Sequence, residues 1–198
     1  MASTCNQSIV TTLKTKYRWC DENAYRLAAK LPEGSKCYVL FISNPERKVA
    51  MYYQASDLPQ TEQDFTDAAK KGIVWDYHVV VICWCKDGWV VYDSSTTLGW
   101  AVPLFEWMNR TFGNTKYPKP MFKIIPREQY VRDYKSNRTD LEGRQIPAKN
   151  WPAWPAINQT PGKSESNLLE YVTMTGNPPP KGRVVELQGL KQFFYPLE

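Results

Sequence analysis

The sequence predicts an α+β domain in which helices cover an antiparallel sheet. Two runs of β-branched and aromatic residues, 36–43 and 74–85, have the composition of buried strands. Residues 86–88 (Lys-Asp-Gly) and a further apolar run over 89–94 follow the second strand, which is the pattern of a β-hairpin. Helical patterns occur apart from these strands, and antiparallel strands with segregated helices are typical of the α+β class.

The first helix is predicted over residues 20–31. Its apolar residues recur at helical spacing, Asp21 and Glu22 occupy the first turn, and Pro32 ends it. A second strand over residues 48–54 is predicted to return along the first strand after an Asn-Pro turn.

The rest of the chain alternates loops with short elements, and no internal repeat is present. A length of 198 residues without repeats predicts a single domain over 1–198. The remaining predictions are a polar loop over 55–71, a helix over 102–112, a strand over 121–125, a helix over 128–134, an irregular loop over 147–162, an ordered segment over 168–174, a proline break over 178–180 and a closing helix over 187–194.

Composition argues against two classes of partner. The net charge of +5 is spread without a long basic block, so we expect no nucleic-acid partner. No apolar run approaches the ~20 residues that span a bilayer, and the N-terminus lacks the pattern of a signal peptide. We therefore expect no membrane partner and a location in the cytoplasm or also in the nucleus. We expect the protein to be a monomer.

The five cysteines predict neither a metal site nor a disulfide framework. Their number is odd, no Cys-x-x-Cys pair occurs, and only one histidine could help to bind zinc. We expect reduced thiols and no metal or organic cofactor. The five are Cys5, Cys20, Cys37, Cys83 and Cys85.

Three residues form a candidate catalytic set. Cys20 stands at the predicted start of a helix, where the helix dipole is expected to lower the pKa of a thiol. His78 is the single histidine, and Asp93 lies on the other arm of the predicted hairpin. Depending on the turn, His78 and Asp93 face each other or are staggered along the ladder. A thiol, an imidazole and an orienting carboxylate are the parts of a cysteine acyl-transfer enzyme. A single histidine in a strand is, however, more often a polar residue without a catalytic role.

Three segments resemble the catalytic blocks of the protein N-terminal glutamine amidohydrolase family. The block at 74–80 is long and unusual, and the similarity extends over nearly the whole chain, least in the loops 55–71 and 143–162. The three blocks are Trp-Cys-Asp-Glu-Asn at 19–23, Val-Trp-Asp-Tyr-His-Val-Val at 74–80 and Val-Tyr-Asp at 91–93; further similar stretches are 37–44, 167–174 and 182–187.

The resemblance implies an activity and a fold. Members of the family convert an N-terminal glutamine of a protein to glutamate and release ammonia. They do so without a cofactor, on a transglutaminase-like and papain-like α+β core. At the positions that match the family's motifs, the resemblance implies that Cys20 is the nucleophile, that His78 is the base and that Asp93 orients the histidine. One departure is visible, since Arg18 and Trp19 stand where a second cysteine is expected before the nucleophile.

Recognition of an N-terminal residue requires a group that binds a free α-ammonium. Asp21, Glu22 and Asp76 are the carboxylates nearest the triad in sequence, although the first two also fit helix-start stabilisation. Aromatic residues beside the triad are candidates for the pocket wall, although strand aromatics are more often core. They are Trp19, Trp75, Tyr77 and Tyr92.

The resemblance also implies partners. The substrates would be proteins or peptides with N-terminal Gln, and the product would pass to an arginyl-transferase of an N-degron pathway. Two other functions stay open: another cysteine acyl-transfer enzyme on the same core, such as a transglutaminase or protease, and a non-catalytic module that binds N-terminal residues. The sequence does not establish the preference at the second substrate position or the second oxyanion donor, and the monomeric state is an expectation only.

Overall fold

A computed structural model describes residues 19–55, 72–113, 119–176 and 181–196. Its strands are β1 (Cys37–Ser43), β2 (Val49–Met51), β3 (Ile73–Trp75), β4 (His78–Cys85), β5 (Gly88–Tyr92), β6 (Ala101–Pro103), β7 (Met121–Pro126) and β8 (Arg183–Glu186). Its helices are α1 (Cys20–Lys30), α2 (Leu104–Phe112), α3 (Arg127–Asp133), α4 (Leu168–Val172) and α5 (Leu187–Phe194), with a 3₁₀ turn at Ala148–Asn150.

Six strands form one antiparallel sheet in the order β6-β5-β4-β1-β7-β8, and β2 pairs with β3 in a separate ribbon. This arrangement confirms the predicted α+β class and antiparallel sheet. Within the described residues, no helix is long and apolar enough to cross a membrane.

The two faces of the sheet carry separate apolar cores, because side chains alternate along each strand. On β4, Val79 and Val81 point into the core that includes helix α1, together with its Cys20. Val80 and Ile82 point into the opposite core, which contains side chains of α2 and α5. Strand β4 therefore lies between the helix of the predicted nucleophile and the helices on the other face.

The predicted strand 74–85 is broken into β3 and β4, which belong to different sheets. The break falls at Asp76 and Tyr77, where the Asp76 carboxylate accepts the Tyr77 N–H at 2.8 Å. The hydroxyl of Ser43 donates to the Asp76 carbonyl at 2.7 Å. A local side-chain bond of this kind competes with the ladder and ends the strand. His78 is consequently the first residue of β4.

The β4–β5 hairpin has a two-residue loop over 86–87, because Cys85 pairs with Gly88 and Val81 pairs with Tyr92. This register excludes the face-to-face arrangement of His78 and Asp93. The two residues are staggered along the hairpin, which is the other arrangement that the sequence allowed.

The expectation that all five cysteines are reduced is wrong for Cys37, Cys83 and Cys85. Cys85 is disulfide-bonded, and Cys37 and Cys83 form a disulfide with each other. The two residues are direct partners on β1 and β4, and their Cα atoms lie 4.2 Å apart. Two cysteines placed opposite each other on antiparallel strands are close enough to bond. Because 46 residues separate them, no local pattern in the sequence indicated this pairing. Cys20 is a free thiol, whereas Cys5 lies outside the described residues.

The prediction that a strand over 48–54 returns along the first strand is wrong, because β2 is shorter and pairs with β3, while β4 and β7 occupy both edges of β1. Other predicted elements are confirmed within one or two residues at their ends, including the first helix, the strand at 121–125 and the closing helix. The short strands β6 and β8 were not predicted. Almost all of the loop predicted at 55–71 lies outside the described residues, as does the whole of the proline break over 178–180.

Candidate active site

His78 and Asp93 form a buried pair at the end of the β4–β5 hairpin. The His78 Nε2–H donates to Asp93 Oδ1 at 2.8 Å, and both residues are only 1% exposed. Staggered residues two places apart along a hairpin share a face, which allows this contact. The predicted partnership of the histidine with the aspartate is confirmed.

The Asp93 carboxylate accepts hydrogen bonds from four groups. Besides His78, the backbone N–H of Ser95 donates to Oδ1 at 2.9 Å. The Gln54 amide donates to Oδ2 at 3.1 Å, and the Trp107 indole donates to the same oxygen at 3.2 Å. Besides β4, these donors come from the segment after β2, from α2 and from the segment after β5, so the carboxylate is fixed from several directions.

The network keeps Asp93 charged despite its burial. Burial alone raises the pKa of a carboxyl group, but the charge and hydrogen bond of His78 oppose it, together with the bonds from Ser95 and Gln54. The pKa of Asp93 consequently lies below its ordinary value. An ionised Asp93 can orient the His78 ring and stabilise an imidazolium.

The bond to Asp93 leaves the other ring nitrogen of His78 available. Among the described residues, His78 Nδ1 is buried and has no hydrogen-bond partner. When Nε2 carries the hydrogen, Nδ1 is the acceptor that can take a proton. The indole of Trp75 stacks on the His78 ring at 5.4 Å between centroids and restrains its orientation.

Cys20 is the first residue of α1, and its thiol lies against the start of β4. The backbone N–H groups of Val79 and Asp21 are directed at the Cys20 sulfur. Val79 directly follows His78, so the structure brings the predicted nucleophile to the peptide next to the predicted base.

The expectation that the helix start lowers the pKa of Cys20 is wrong. Burial raises the pKa of the thiol well above its ordinary value, and the charges of Asp21 and Asp76 add to the rise. The hydrogen bonds from Val79 and Asp21 lower the pKa of Cys20, but the net shift is still upward. Cys20 is 8% exposed, and at such a buried site the loss of solvation of a thiolate outweighs the backbone hydrogen bonds at the helix start.

Asp21 is held by tyrosine hydroxyls. Tyr134 donates to Asp21 Oδ2, and Tyr77 donates to Oδ1 at 3.4 Å. Tyr130 donates to the backbone carbonyl of Asp21 at 3.0 Å. Burial raises the pKa of Asp21 to about 6, with the Tyr134 bond opposing the rise. Because Tyr77 precedes His78 and Asp21 follows Cys20, this network joins the two catalytic elements.

Glu22 has internal partners of a different kind. Its buried carboxylate accepts the Ser136 hydroxyl at 2.9 Å and pairs with the Arg138 guanidinium at 3.4 Å. The Trp154 indole donates to its second oxygen. These contacts attach the irregular loop to the start of α1, which gives Glu22 a structural role. Trp19 joins the same loop through its indole N–H, 3.2 Å from the Asn150 carbonyl.

Two other predicted binding residues differ in exposure. Asp76 is exposed, and its charge reaches the Cys20 thiol. Tyr92 is buried and lines a small pocket that Cys20 also lines. In the part of the chain that the structure describes, no three His, Cys, Asp or Glu side chains are grouped so that they could hold a metal ion.

Sequence reasoning missed the residues that support Asp93. Ser95 had a signal, because an aspartate often accepts the N–H two residues later in a turn. Gln54 and Trp107 had no such signal in the sequence, since each reaches Asp93 from a different part of the chain.

Replacing Asp21 by Asn should make Cys20 easier to ionise. The Asp21 carboxylate raises the thiol pKa, so removing its charge lowers that pKa and moves the pH dependence of iodoacetamide alkylation toward lower pH. The measurement is the alkylation rate of Cys20 between pH 5 and 10, followed by mass spectrometry. Asp76→Asn serves as the control and should give a smaller shift in the same direction, because the Asp76 charge has the weaker effect. A shift toward higher pH in Asp21→Asn would contradict this electrostatic assignment.

The chain is similar along most of its length to proteins of one family. Protein N-terminal glutamine amidohydrolase of Caenorhabditis elegans is 28% identical over 165 residues, covering 79% of this chain and 83% of the relative. The protein of the same name from Danio rerio is 26% identical over 183 residues, covering 85% and 81%. The one from Oryza sativa subsp. indica is 28% identical over 177 residues, covering 79% and 71%. The profile of the N-terminal glutamine amidase family matches residues 15–194, and the chain therefore belongs to that family.

Proposed function

We propose that this protein hydrolyses the side-chain amide of an N-terminal glutamine in proteins and peptides, giving N-terminal glutamate and ammonia. The observation that carries the proposal is the buried His78–Asp93 pair at the start of β4, where the backbone N–H of the next residue, Val79, is directed at the free thiol of Cys20. This arrangement occurs in a chain that belongs to the N-terminal glutamine amidase family along almost its whole length.

In the proposed mechanism, Cys20 is the nucleophile and His78 the general base. The raised pKa keeps the resting thiol protonated, so attack requires removal of its proton. The unpartnered Nδ1 of His78 takes this proton as the sulfur bonds to the carboxamide carbon, and Asp93 stabilises the resulting imidazolium. The electron pair of the C=O bond moves to the oxygen, forming a tetrahedral oxyanion.

The second half of the reaction releases the products. The imidazolium of His78 protonates the leaving nitrogen, the C–N bond breaks, and ammonia leaves a thioester on Cys20. A water molecule, deprotonated by His78, then attacks the thioester. The C–S bond breaks, the sulfur regains a proton, and N-terminal glutamate is released. The N–H of Cys20 at the start of α1 is one donor for the oxyanion.

Asp76 is the carboxylate that we assign to the α-ammonium of the substrate. It is exposed, it lies at the β3–β4 break next to the catalytic strand, and its charge acts on the Cys20 thiol. The carboxylates of Asp21 and Glu22 are instead buried and already bonded to side chains of the protein. The Asp76 carboxylate accepts the Tyr77 N–H at Oδ1, so an ammonium can approach its second oxygen without displacing this bond.

The product defines the next reaction in sequence. A protein with N-terminal glutamate is a substrate for arginyl transfer, and we propose that such a transferase of an N-degron pathway acts after this enzyme. The proposed location is the cytoplasm, with the nucleus also open, and the proposed state is a monomer. The Cys37–Cys83 disulfide is more typical of an oxidising compartment, so the redox state of this pair in the cell bears directly on the location.

A panel of matched peptides tests the proposed reaction. The enzyme should release ammonia from a peptide that begins with Gln, and much less from the same peptide with N-terminal Asn or with the Gln placed internally. Cys20→Ala should reduce the release by about 10³-fold or more, because it removes the nucleophile. The measurement combines ammonia release with the mass of the peptide product.

The panel also distinguishes the other candidate functions. Equal release from internal Gln would indicate a less selective acyl-transfer enzyme, such as a transglutaminase or a protease. Binding of the N-terminal Gln peptide without turnover would indicate a non-catalytic module. Full activity in Cys20→Ala would refute the mechanism.

Replacing Asp76 by Asn should weaken recognition of the free N-terminus. We expect KM for the N-terminal Gln peptide to rise about fivefold with little change in kcat, because an exposed ion pair is worth up to about 1 kcal/mol. The control substrate is the same peptide with its α-amine acetylated, for which the two enzymes should differ little. An equal rise of KM for both peptides would show that Asp76 does not bind the α-ammonium.

A further inference from the structure

A small pocket lies beside Cys20, between α1 and the strands β4 and β5. It has room for about one water-sized group, too little for a whole glutamine side chain but enough for a single oxygen atom. The lining residues are Cys20, Asn23, Ala24, Leu27, Val79, Val81, Tyr92, Ser94 and Trp100. A pocket of this size next to a nucleophile can receive one atom of the group that the nucleophile attacks.

Trp100 brings an unused donor to this pocket. Its ring is half-buried against the core that contains Cys20, and its indole Nε1 is fully buried with no hydrogen-bond partner among the described residues. A buried N–H without an acceptor is energetically costly, so such a group in a native fold calls for a partner outside the resting protein chain. An N–H donor binds the carbonyl oxygen of a carboxamide, which accepts hydrogen bonds, and not its NH2 group, which only donates them.

The fold holds Trp100 at the catalytic end of the sheet. Trp100 directly precedes β6, whose first residue Ala101 pairs with Tyr92, and Tyr92 directly precedes Asp93. Other polar side chains of the pocket have partners: the Asn23 amide donates to the Ser94 hydroxyl at 3.3 Å, and the Tyr92 hydroxyl lies 3.9 Å from the Cys85 sulfur. The Trp100 indole is a lining group whose buried N–H has no acceptor among the described residues.

We propose that the indole N–H of Trp100 is the second donor to the oxyanion that forms when Cys20 attacks the substrate carboxamide. The inference rests on the proposed amidohydrolase function and adds to it a catalytic residue. As the C–S bond forms, the C=O electron pair moves to the oxygen, which enters the pocket and accepts the Trp100 N–H. When His78 protonates the departing nitrogen, the C=O bond re-forms and this hydrogen bond weakens. Trp100 therefore stabilises the transition state more than the bound substrate.

Removing the N–H tests the assignment. Trp100→Phe should lower kcat for the N-terminal Gln peptide by about 10²-fold with little change in KM, as expected for loss of one oxyanion donor. The rate of Cys20 alkylation by iodoacetamide should not change, because that displacement forms no oxyanion. The matched control is Trp151→Phe, in which the lost indole N–H bonds to the Ile146 carbonyl at 2.7 Å, and this variant should keep its kcat.

A second variant separates the N–H from the shape of the ring. Replacing Trp100 by 3-benzothienylalanine exchanges the N–H for sulfur in a ring of nearly the same size, and it should lower kcat as Trp100→Phe does. Wild-type kcat in this variant would overturn the proposal, as would a parallel loss of alkylation rate in both variants. Ammonia release by the wild type and its absence in Cys20→Ala, measured in the same assay, test the proposed function independently of Trp100.

Discussion

The buried carboxylate of Asp93 is the constraint on which the arrangement of the site depends. A charge in the core is tolerated only with several partners, and here His78, Ser95, Gln54 and Trp107 supply hydrogens to its two oxygens. The hydrogen bonds to this carboxylate fix the register of the β4–β5 hairpin, the segment that follows β2 and the position of α2. It also fixes the tautomer in which the histidine keeps its second nitrogen for a substrate proton. Stability and chemistry therefore share the same hydrogen bonds.

The two sides of the site have opposite electrostatics. Asp93 is held in its charged form, whereas burial and the nearby carboxylates favour the neutral form of Cys20. An enzyme with this balance ionises its nucleophile only when a base and a substrate are in place. The acidic side chains that oppose the thiolate also create a negative surrounding that suits a substrate bearing a free α-ammonium. Asp21 contributes to that balance from within the core, and Asp76 contributes from the surface.

The sequence was sufficient for the parts of the structure that depend on local patterns. The helix from Cys20, the β4–β5 hairpin and the meeting of His78 with Asp93 follow from periodicity, turn chemistry and the scarcity of histidine. Contacts between distant segments could not be predicted, which is why the Cys37–Cys83 disulfide was missed. The thiol pKa was misjudged for a similar reason, because a helix start is visible in a sequence and the depth of its burial is not. Residue types indicate possible chemistry, whereas tertiary packing decides the protonation state.

Direct capture of the acyl-enzyme tests the central claim that Cys20 attacks the glutamine side chain. The wild-type protein would be mixed with an excess of N-terminal Gln peptide, quenched in acid during turnover, digested and analysed by mass spectrometry. The mechanism predicts a glutamyl thioester on the peptide that contains Cys20, formed with the release of ammonia and lost when the substrate is exhausted. Steady deamidation without any adduct on Cys20, or with the adduct on another residue, would contradict it.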